Sequence, residues 1–132
     1  IREGVEKLRE VMWELARGED EFLDENDPGL LRGEDLERVM RGSVWTYKTV
    51  YGDPTTFELN PDGTMIGRAG HANEEQDCGR WWIEGDLWCR QWQQWAYGEK
   101  GRYYITLQGQ ELKIYNTGKR LVDSAIIHRS PA

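Results

Sequence analysis

Residues 102–115 read Arg-Tyr-Tyr-Ile-Thr-Leu-Gln-Gly-Gln-Glu-Leu-Lys-Ile-Tyr. Tyr103, Ile105 and Leu107 alternate with Tyr104, Thr106 and Gln108; beyond Gln108-Gly109-Gln110, Leu112 and Ile114 alternate with Glu111 and Lys113. A period of two is the mark of a strand with one buried face, and a glycine-centred break between two such runs marks a hairpin. The odd set of the first run and the even set of the second are expected to face a core.

The same pattern extends outward in both directions. Segments 43–51, 55–60, 64–71, 78–83, 87–95, 102–108, 111–115 and 119–129 are rich in Val, Ile, Thr, Tyr and Trp. Turn signals separate them, among them Asn60-Pro61-Asp62-Gly63, Glu84-Gly85-Asp86 and Asn116-Thr117-Gly118-Lys119. Links this short hold no crossover helix, so successive strands must be antiparallel neighbours. An open eight-strand meander would leave two bare edges; closure removes them. The expected fold is mainly β: an eight-stranded antiparallel up-and-down barrel, with a two-sheet sandwich as the alternative.

Residues 1–42 differ in composition. They carry 13 acidic and 7 basic side chains, against 11 and 10 in residues 43–132, which hold six of the seven Trp. The step places a boundary near Gly42, with 1–42 an acidic helical extension or lid and 43–132 the barrel. Ile1, Val5, Leu8 and Leu15 recur at helical spacing, and a second helix is expected from Glu34 to Arg41 with Leu36, Val39 and Met40 on its apolar side. The acidic run 19–27 between them reads as a solvated connector; Asp24, Asn26 and Asp35 suggest a calcium loop, but Arg32 falls where a ligand should stand and no Glu closes it.

The net charge of −7 argues against nonspecific binding to nucleic acid or anionic lipid. No run approaches the ~20 apolar residues of a membrane span. A basic, apolar leader is absent from the given N-terminus, and the start on Ile1 rather than Met makes a piece of a longer polypeptide one reading. Cys78 and Cys89 flank one hairpin turn and are expected as two free buried thiols rather than a disulfide; no metal or cofactor is implied. His71 and His128 read as surface or cap residues that would approach each other only if the third and last strands meet at one end.

Alternation assigns most faces. Phe57 and Leu59 point in, as do Trp45, Tyr47, Thr49 and Tyr51. It leaves the fourth and fifth segments open: Trp81 and Ile83 oppose Arg80 and Trp82, and Trp88, Arg90 and Trp92 oppose Cys89, Gln91, Gln93 and Trp95. Asp123 is in phase with Leu121, Ala125 and Ile127 and needs a partner, for which Arg80, Arg90 or a Tyr hydroxyl would serve. The candidate ligand-binding set is Tyr47, Trp82, Arg90, Trp92, Tyr103 and Asp123, either as a filled barrel with a structural salt bridge or as the lining of a cavity.

Gly42-Ser43-Val44-Trp45 before the first strand, with Arg129 near the end of the last, resembles the calycin group of barrels (lipocalins, fatty-acid-binding proteins, avidins). There a Gly-x-Trp opens the first strand and a late Arg stacks on that Trp. Here the motif is one residue longer, and no C-terminal helix follows. Asp62-Gly63-Thr64, Gly79-Arg80-Trp81 and Leu87-Trp88-Cys89-Arg90-Gln91-Trp92 are similar to motifs of small uncharacterised bacterial exported proteins. That resemblance implies a periplasmic or secreted location; otherwise the chain is cytoplasmic.

The expected function is a non-enzymatic barrel that binds a small hydrophobic or aromatic ligand, with rings stacking on its body and Arg90 meeting an acidic group. One alternative is a lipocalin-like enzyme of cyclase, isomerase or decarboxylase type using Tyr47, Tyr103, Arg90 and Asp123. Another is an accessory domain that docks a protein partner through the N-terminal helices.

Overall fold

Two-residue links decide the order of the strands. Glu84 pairs with Leu87 and Gln108 with Glu111. Gly85 and Gly109 take φ of +61° and +62° in these links, a conformation two-residue hairpins require and side chains resist. A computed structural model, which describes residues 21–48 and 54–129 of the chain and all their side chains except those of Lys48 and Arg129, contains eight strands. They are β1 Ser43–Lys48, β2 Pro54–Leu59, β3 Thr64–Ala69, β4 Glu75–Glu84, β5 Leu87–Trp92, β6 Lys100–Gln108, β7 Glu111–Tyr115 and β8 Leu121–Arg129. Each pairs antiparallel with the next, and β8 returns to β1 with Trp45 opposite Ile127 and Ser43 opposite Arg129. The sheet is a closed eight-stranded barrel, as the alternation implies.

Two strand boundaries move by three residues. β4 starts at Glu75, before the expected 78, because Glu75 and Gln76 continue the ladder opposite Ala69 and Arg68; pairing overrides their poor strand propensity. β5 stops at Trp92, short of 95, where the chain turns away over the barrel rim.

One end of the barrel is plugged. The helix α1, Gly33–Met40, turns Leu36, Val39 and Met40 into the bore, where they join Trp45, Leu59, Met65, Trp81 and Leu112 in one core. Its first N–H groups need acceptors, and Arg32 supplies no side-chain cap. Asp86 in the β4–β5 turn fills that role: its Oδ1 accepts the Gly33 N–H at 3.0 Å. Ser43 then ties helix to wall. Its Oγ donates to the Met40 carbonyl at 2.6 Å and accepts the Trp45 indole N–H at 3.1 Å. The sequence-expected helix over Glu34–Arg41 is thus present within a residue; the one expected nearer the N-terminus lies outside the described residues, as does the Arg129 side chain expected over Trp45.

The acidic run is solvent-exposed at Asp24, Glu25 and Asn26, as expected, but its backbone is tied to the barrel. Residues 21–31 form a strap over the outer wall. The Leu23 N–H donates to the Lys119 carbonyl at 2.7 Å, and the Leu121 N–H to the Glu21 carbonyl at 2.8 Å. Further along, Leu31 and Leu107 donate to Ile105 and Gly29 at 3.0 and 2.8 Å. These bonds use the stretch of β6 that outruns β5, an edge that would otherwise be bare. Leu23 and Leu30 pack on Tyr104, Tyr115 and Leu121, and Lys113 and the Tyr115 hydroxyl bind the Glu21 carboxylate at 2.8 and 3.1 Å. Leu121 belongs to this outer cluster rather than to the bore, because a register shift between Ile114 and Tyr115 puts Val122 out of step.

Ser43→Ala tests the plug. It leaves the buried Trp45 N–H without its acceptor, so unfolding in urea should move to lower midpoint by about 1–3 kcal/mol, with the strand signal in far-ultraviolet dichroism kept. An unchanged midpoint would show that the tie contributes nothing.

Candidate functional site

Register settles the faces that alternation left open. Gly79, Trp81 and Ile83 stand opposite Trp92, Arg90 and Trp88. Trp81 is buried, so this set faces the bore and Arg80, Trp82, Cys89 and Gln91 face out. Trp82 therefore leaves the candidate set. Its indole N–H donates to Glu84 Oε2 at 2.6 Å, and the Arg80 guanidinium lies 5.3 Å from its ring centroid on the outer wall. Arg80 can no more partner Asp123 than Trp82 can line the bore.

Large inward rings need missing side chains across from them. A Cβ on Gly67 of β3 would stand 2.3 Å from the Trp95 ring and 2.7 Å from the Trp92 ring. One on Gly79 would meet the Gln91 carbonyl oxygen at 2.5 Å and the Trp92 ring at 3.1 Å. One on Gly101, opposite Arg90, would meet the Tyr103 ring at 2.7 Å and the Arg90 guanidinium carbon at 2.9 Å. These three glycines seat the aromatic side of the bore.

Between the rings, away from α1, lies a cavity of about 370 Å³. Five of the six sequence-expected residues line it: Tyr47, Arg90, Trp92, Tyr103 and Asp123. Trp88, Trp95 and Phe57 complete its aromatic wall. Phe57 and Trp92 have centroids 4.9 Å apart, Trp92 and Trp95 4.9 Å, and Trp45 and Trp88 4.7 Å, all tilted; Tyr47 meets Phe57 edge-on at 5.1 Å. These are favourable ring pairings, so the wall is held by its own contacts. A second hollow of about 510 Å³ crosses the β1–β8 seam past Thr46, Thr56, Ser124 and Ile126. Tyr47 lines both hollows, but the indoles, Arg90 and Asp123 line only the first.

The polar groups of the cavity are not paired off. Arg90 Nη2 donates to the Tyr103 hydroxyl at 2.6 Å and Nη1 to the Glu99 carbonyl at 3.3 Å, with the guanidinium carbon 5.4 Å from the Tyr103 centroid. Asp123 Oδ1 accepts the Ser124 N–H at 2.8 Å. The salt bridge anticipated between Arg90 and Asp123 does not form. Burial pushes the Asp123 carboxyl above its ordinary value, against the Ser124 N–H that works to lower it. Burial also pushes the Tyr47 hydroxyl well above the usual tyrosine range, with Asp123 adding to the rise and Arg90 opposing it. The Trp88 indole N–H, in a residue only 2% exposed, has no acceptor among the described residues.

The chain matches no protein-family model, no curated protein and no solved structure.

The rim carries two residues the sequence reading missed. Asp77, placed in a turn by that reading, is 8% exposed and holds the loop after β5: its Oδ2 accepts the Gln94 and Trp95 N–H groups, each at 2.9 Å. Burial works to raise its carboxyl, but the N–H groups of Trp95, Gln94, Cys78 and Gln93 outweigh it and hold the group below its ordinary value. Trp95, which strand alternation groups with Cys89, Gln91 and Gln93, lines the cavity instead with Trp92, because β5 ends at Trp92. The turn that carries it is strained. Ala96 and Tyr97 take φ of 53° and 57°, ahead of Gly98 at 68°, a left-handed run costing roughly 1–2 kcal/mol per non-glycine residue. Tyr97 is 95% exposed at its tip. The only sequence signal for Asp77 was its phase with Gly79 and Trp81.

The thiols and imidazoles lie elsewhere. Cys78 and Cys89 are free, but only Cys89 is buried; Cys78 is exposed on the outer face. The partner of Cys89 in the ladder is Trp82, four positions from Cys78, which keeps the sulfurs apart. Burial, with Glu84 beside it, pushes the Cys89 thiol up to about 11, which makes it unreactive. His128 stands at the plugged end, with Nε2 3.2 Å from Thr46 Oγ1, and His71 follows β3 at the opposite end, so the two do not meet.

Two variants probe the rim and the cavity. A carboxyl lowered by folding stabilises above its unfolded value, and that contribution is lost as pH falls through its titration. Asp77→Asn should therefore be less stable than the parent by about 2 kcal/mol near neutrality, with the gap narrowing towards pH 3 in urea titrations. A carboxyl raised by folding has the opposite sign: its penalty appears as pH rises. Asp123→Asn should be more stable than the parent at pH 7 and lose that advantage in acid; an equal or lower midpoint at pH 7 would show that the carboxylate carries no such penalty.

Proposed function

We propose that the protein is a non-enzymatic binder of a small apolar or aromatic molecule, held in the barrel cavity in the manner of the calycin group it resembles. The observation that carries this reading is the hollow of about 370 Å³ inside the barrel, walled by Tyr47, Phe57, Trp88, Trp92 and Trp95 and faced by Arg90 and Asp123. A concave, ring-lined hollow of this size with a few polar groups facing it is the usual form of a small-molecule site. Tyr47, Trp92 and Trp95 supply ring faces and Arg90 a cation for an acidic group on the ligand. The resemblance to exported bacterial proteins favours an envelope location.

An enzyme of the lipocalin-like kind is the second reading. It is favoured by Tyr47 and Asp123, whose titrations are both raised and which share the cavity with Arg90. The described wall carries charges outward, such as the Arg68–Glu58 pair at 3.0 Å, and apolar side chains inward, the reverse of a membrane barrel. No helix among the described residues is long and apolar enough to cross a membrane.

Titration with 2-naphthol, followed by calorimetry and by quenching of tryptophan emission, tests the binder. Saturable one-to-one binding is expected. Ile114→Trp, which fills the hollow from β7, should weaken it at least about tenfold, or 1.4 kcal/mol. A linear, unsaturable signal in the parent protein counts against the reading, which falls if smaller aromatic probes with charged ends are silent too.

A further inference from the structure

Arg90 on β5 and Asp123 on β8 face one cavity from different walls. The guanidinium reaches only a phenol and a backbone carbonyl, and the carboxylate only a backbone N–H. Neither meets an opposite charge among the described residues. Tyr47 lies within electrostatic range of both, since Asp123 and Arg90 push its hydroxyl in opposite directions. Two internal charges of opposite sign that share a hollow would ordinarily pair, because leaving each alone costs more than joining them. Here they line one hollow from strands β5 and β8 without forming an ion pair.

A ligand with a single charge resolves half of this. An anion seated on Arg90 would bring its charge into a cavity that already holds the Asp123 carboxyl. A cation seated on Asp123 would face Arg90 in the same way. Only a molecule carrying both groups, spaced across an aromatic body, gives each wall charge a partner and leaves no like charges facing one another.

We propose that the cavity selects a bipolar aromatic ligand: a ring held among Trp88, Trp92 and Phe57, with an acidic group towards Arg90 and Tyr103 and an amine or other strong donor towards Asp123. This rests on the binder reading above and narrows it to one ligand class. An amino-substituted aromatic acid has the required chemistry. A fatty acid or a neutral hydrocarbon does not.

Four probes with one ring and different ends test it by calorimetry on the full chain at pH 7: 4-(aminomethyl)benzoate, 4-methylbenzoate, 4-methylbenzylamine and p-xylene. The first should bind at least about tenfold more tightly than either singly charged probe, and p-xylene most weakly. Arg90→Gln should erase the advantage of 4-(aminomethyl)benzoate over 4-methylbenzylamine, and Asp123→Asn its advantage over 4-methylbenzoate. Both changes nearly conserve shape, and dichroism confirms folding; if either variant fails to fold, the ranking of the four probes on the parent protein decides alone. Equal affinity for all four, or a preference for a singly charged probe, overturns the bipolar selection and leaves the binder standing. So does binding of 2-naphthol with none of the four probes bound. Silence from all five molecules overturns both.

Discussion

A closed wall of eight strands has a fixed bore, and every ring that turns into it must be matched by space on the facing strand. That constraint organises this barrel. Trp45 and Trp88 fill the middle, in contact at 4.7 Å. Trp92 and Trp95 can enter on the mouth side only because Gly67 and Gly79 carry no side chain there. Arg90 and Tyr103 can lie together only because Gly101 is bare beside them. Where the glycines stop, towards α1, the bore is packed solid by Met65, Leu59 and the helix residues Leu36 and Met40. The cavity is thus less a gap in the packing than the region where indoles, propped apart by one another, meet small residues instead of Leu and Ile.

The barrel was legible because its signals are local. Period-two alternation in 102–115 fixes one hairpin, Gly85 and Gly109 fix two-residue turns, and short links exclude crossovers, so the topology follows without long-range information. The candidate lining was legible only where alternation was one-sided. Tyr47, Tyr103 and Asp123 lie on strands where one phase carries residues that must face water, such as Lys48, Gln108 and Ser124, and they fell on the correct side. In 80–92 both phases carry Trp and Arg, and the choice there depends on what stands opposite. Gly79 against Trp92 is the datum that decides it, and it lives in the pairing of two strands rather than in either one. Trp82 was misassigned for that reason. Asp77 and Trp95 were missed for another: both depend on a turn whose backbone is left-handed at Ala96 and Tyr97, which no residue type in Trp-Ala-Tyr-Gly announces apart from Gly98.

The acidic run shows how composition misleads when backbone groups are the real currency. Residues 19–27 look like a linker because they are charged. What matters at 21–31 is that β6 outruns β5 and that β8 begins beside a register shift, so both offer unpaired backbone to any extended neighbour. Glu21, Leu23, Gly29 and Leu31 supply the partners. The carboxylates are an accompaniment: Glu21 meets Lys113 and Tyr115, and Glu25 meets Lys119, all at the partly wet surface where such pairs contribute little on their own.

The two ends of the barrel differ in how completely their polar groups are satisfied. At the plugged end the Trp45 N–H reaches Ser43, Ser43 reaches Met40, and the Gly33 N–H reaches Asp86, so every donor in that chain has its acceptor. At the mouth Arg90 and Asp123 meet no opposite charge among the described residues, and a left-handed turn stores strain that Asp77 must hold in place. Sequences tend to agree with their folds except where function demands otherwise. Strain, charges without an opposite partner and a carboxyl raised by burial would each lower stability, and none is needed to close the barrel, because the closing ladder runs through Ser43–Thr46 and Ile126–Arg129 at the other end. Their coincidence in one hollow is what separates this end from a merely imperfect core.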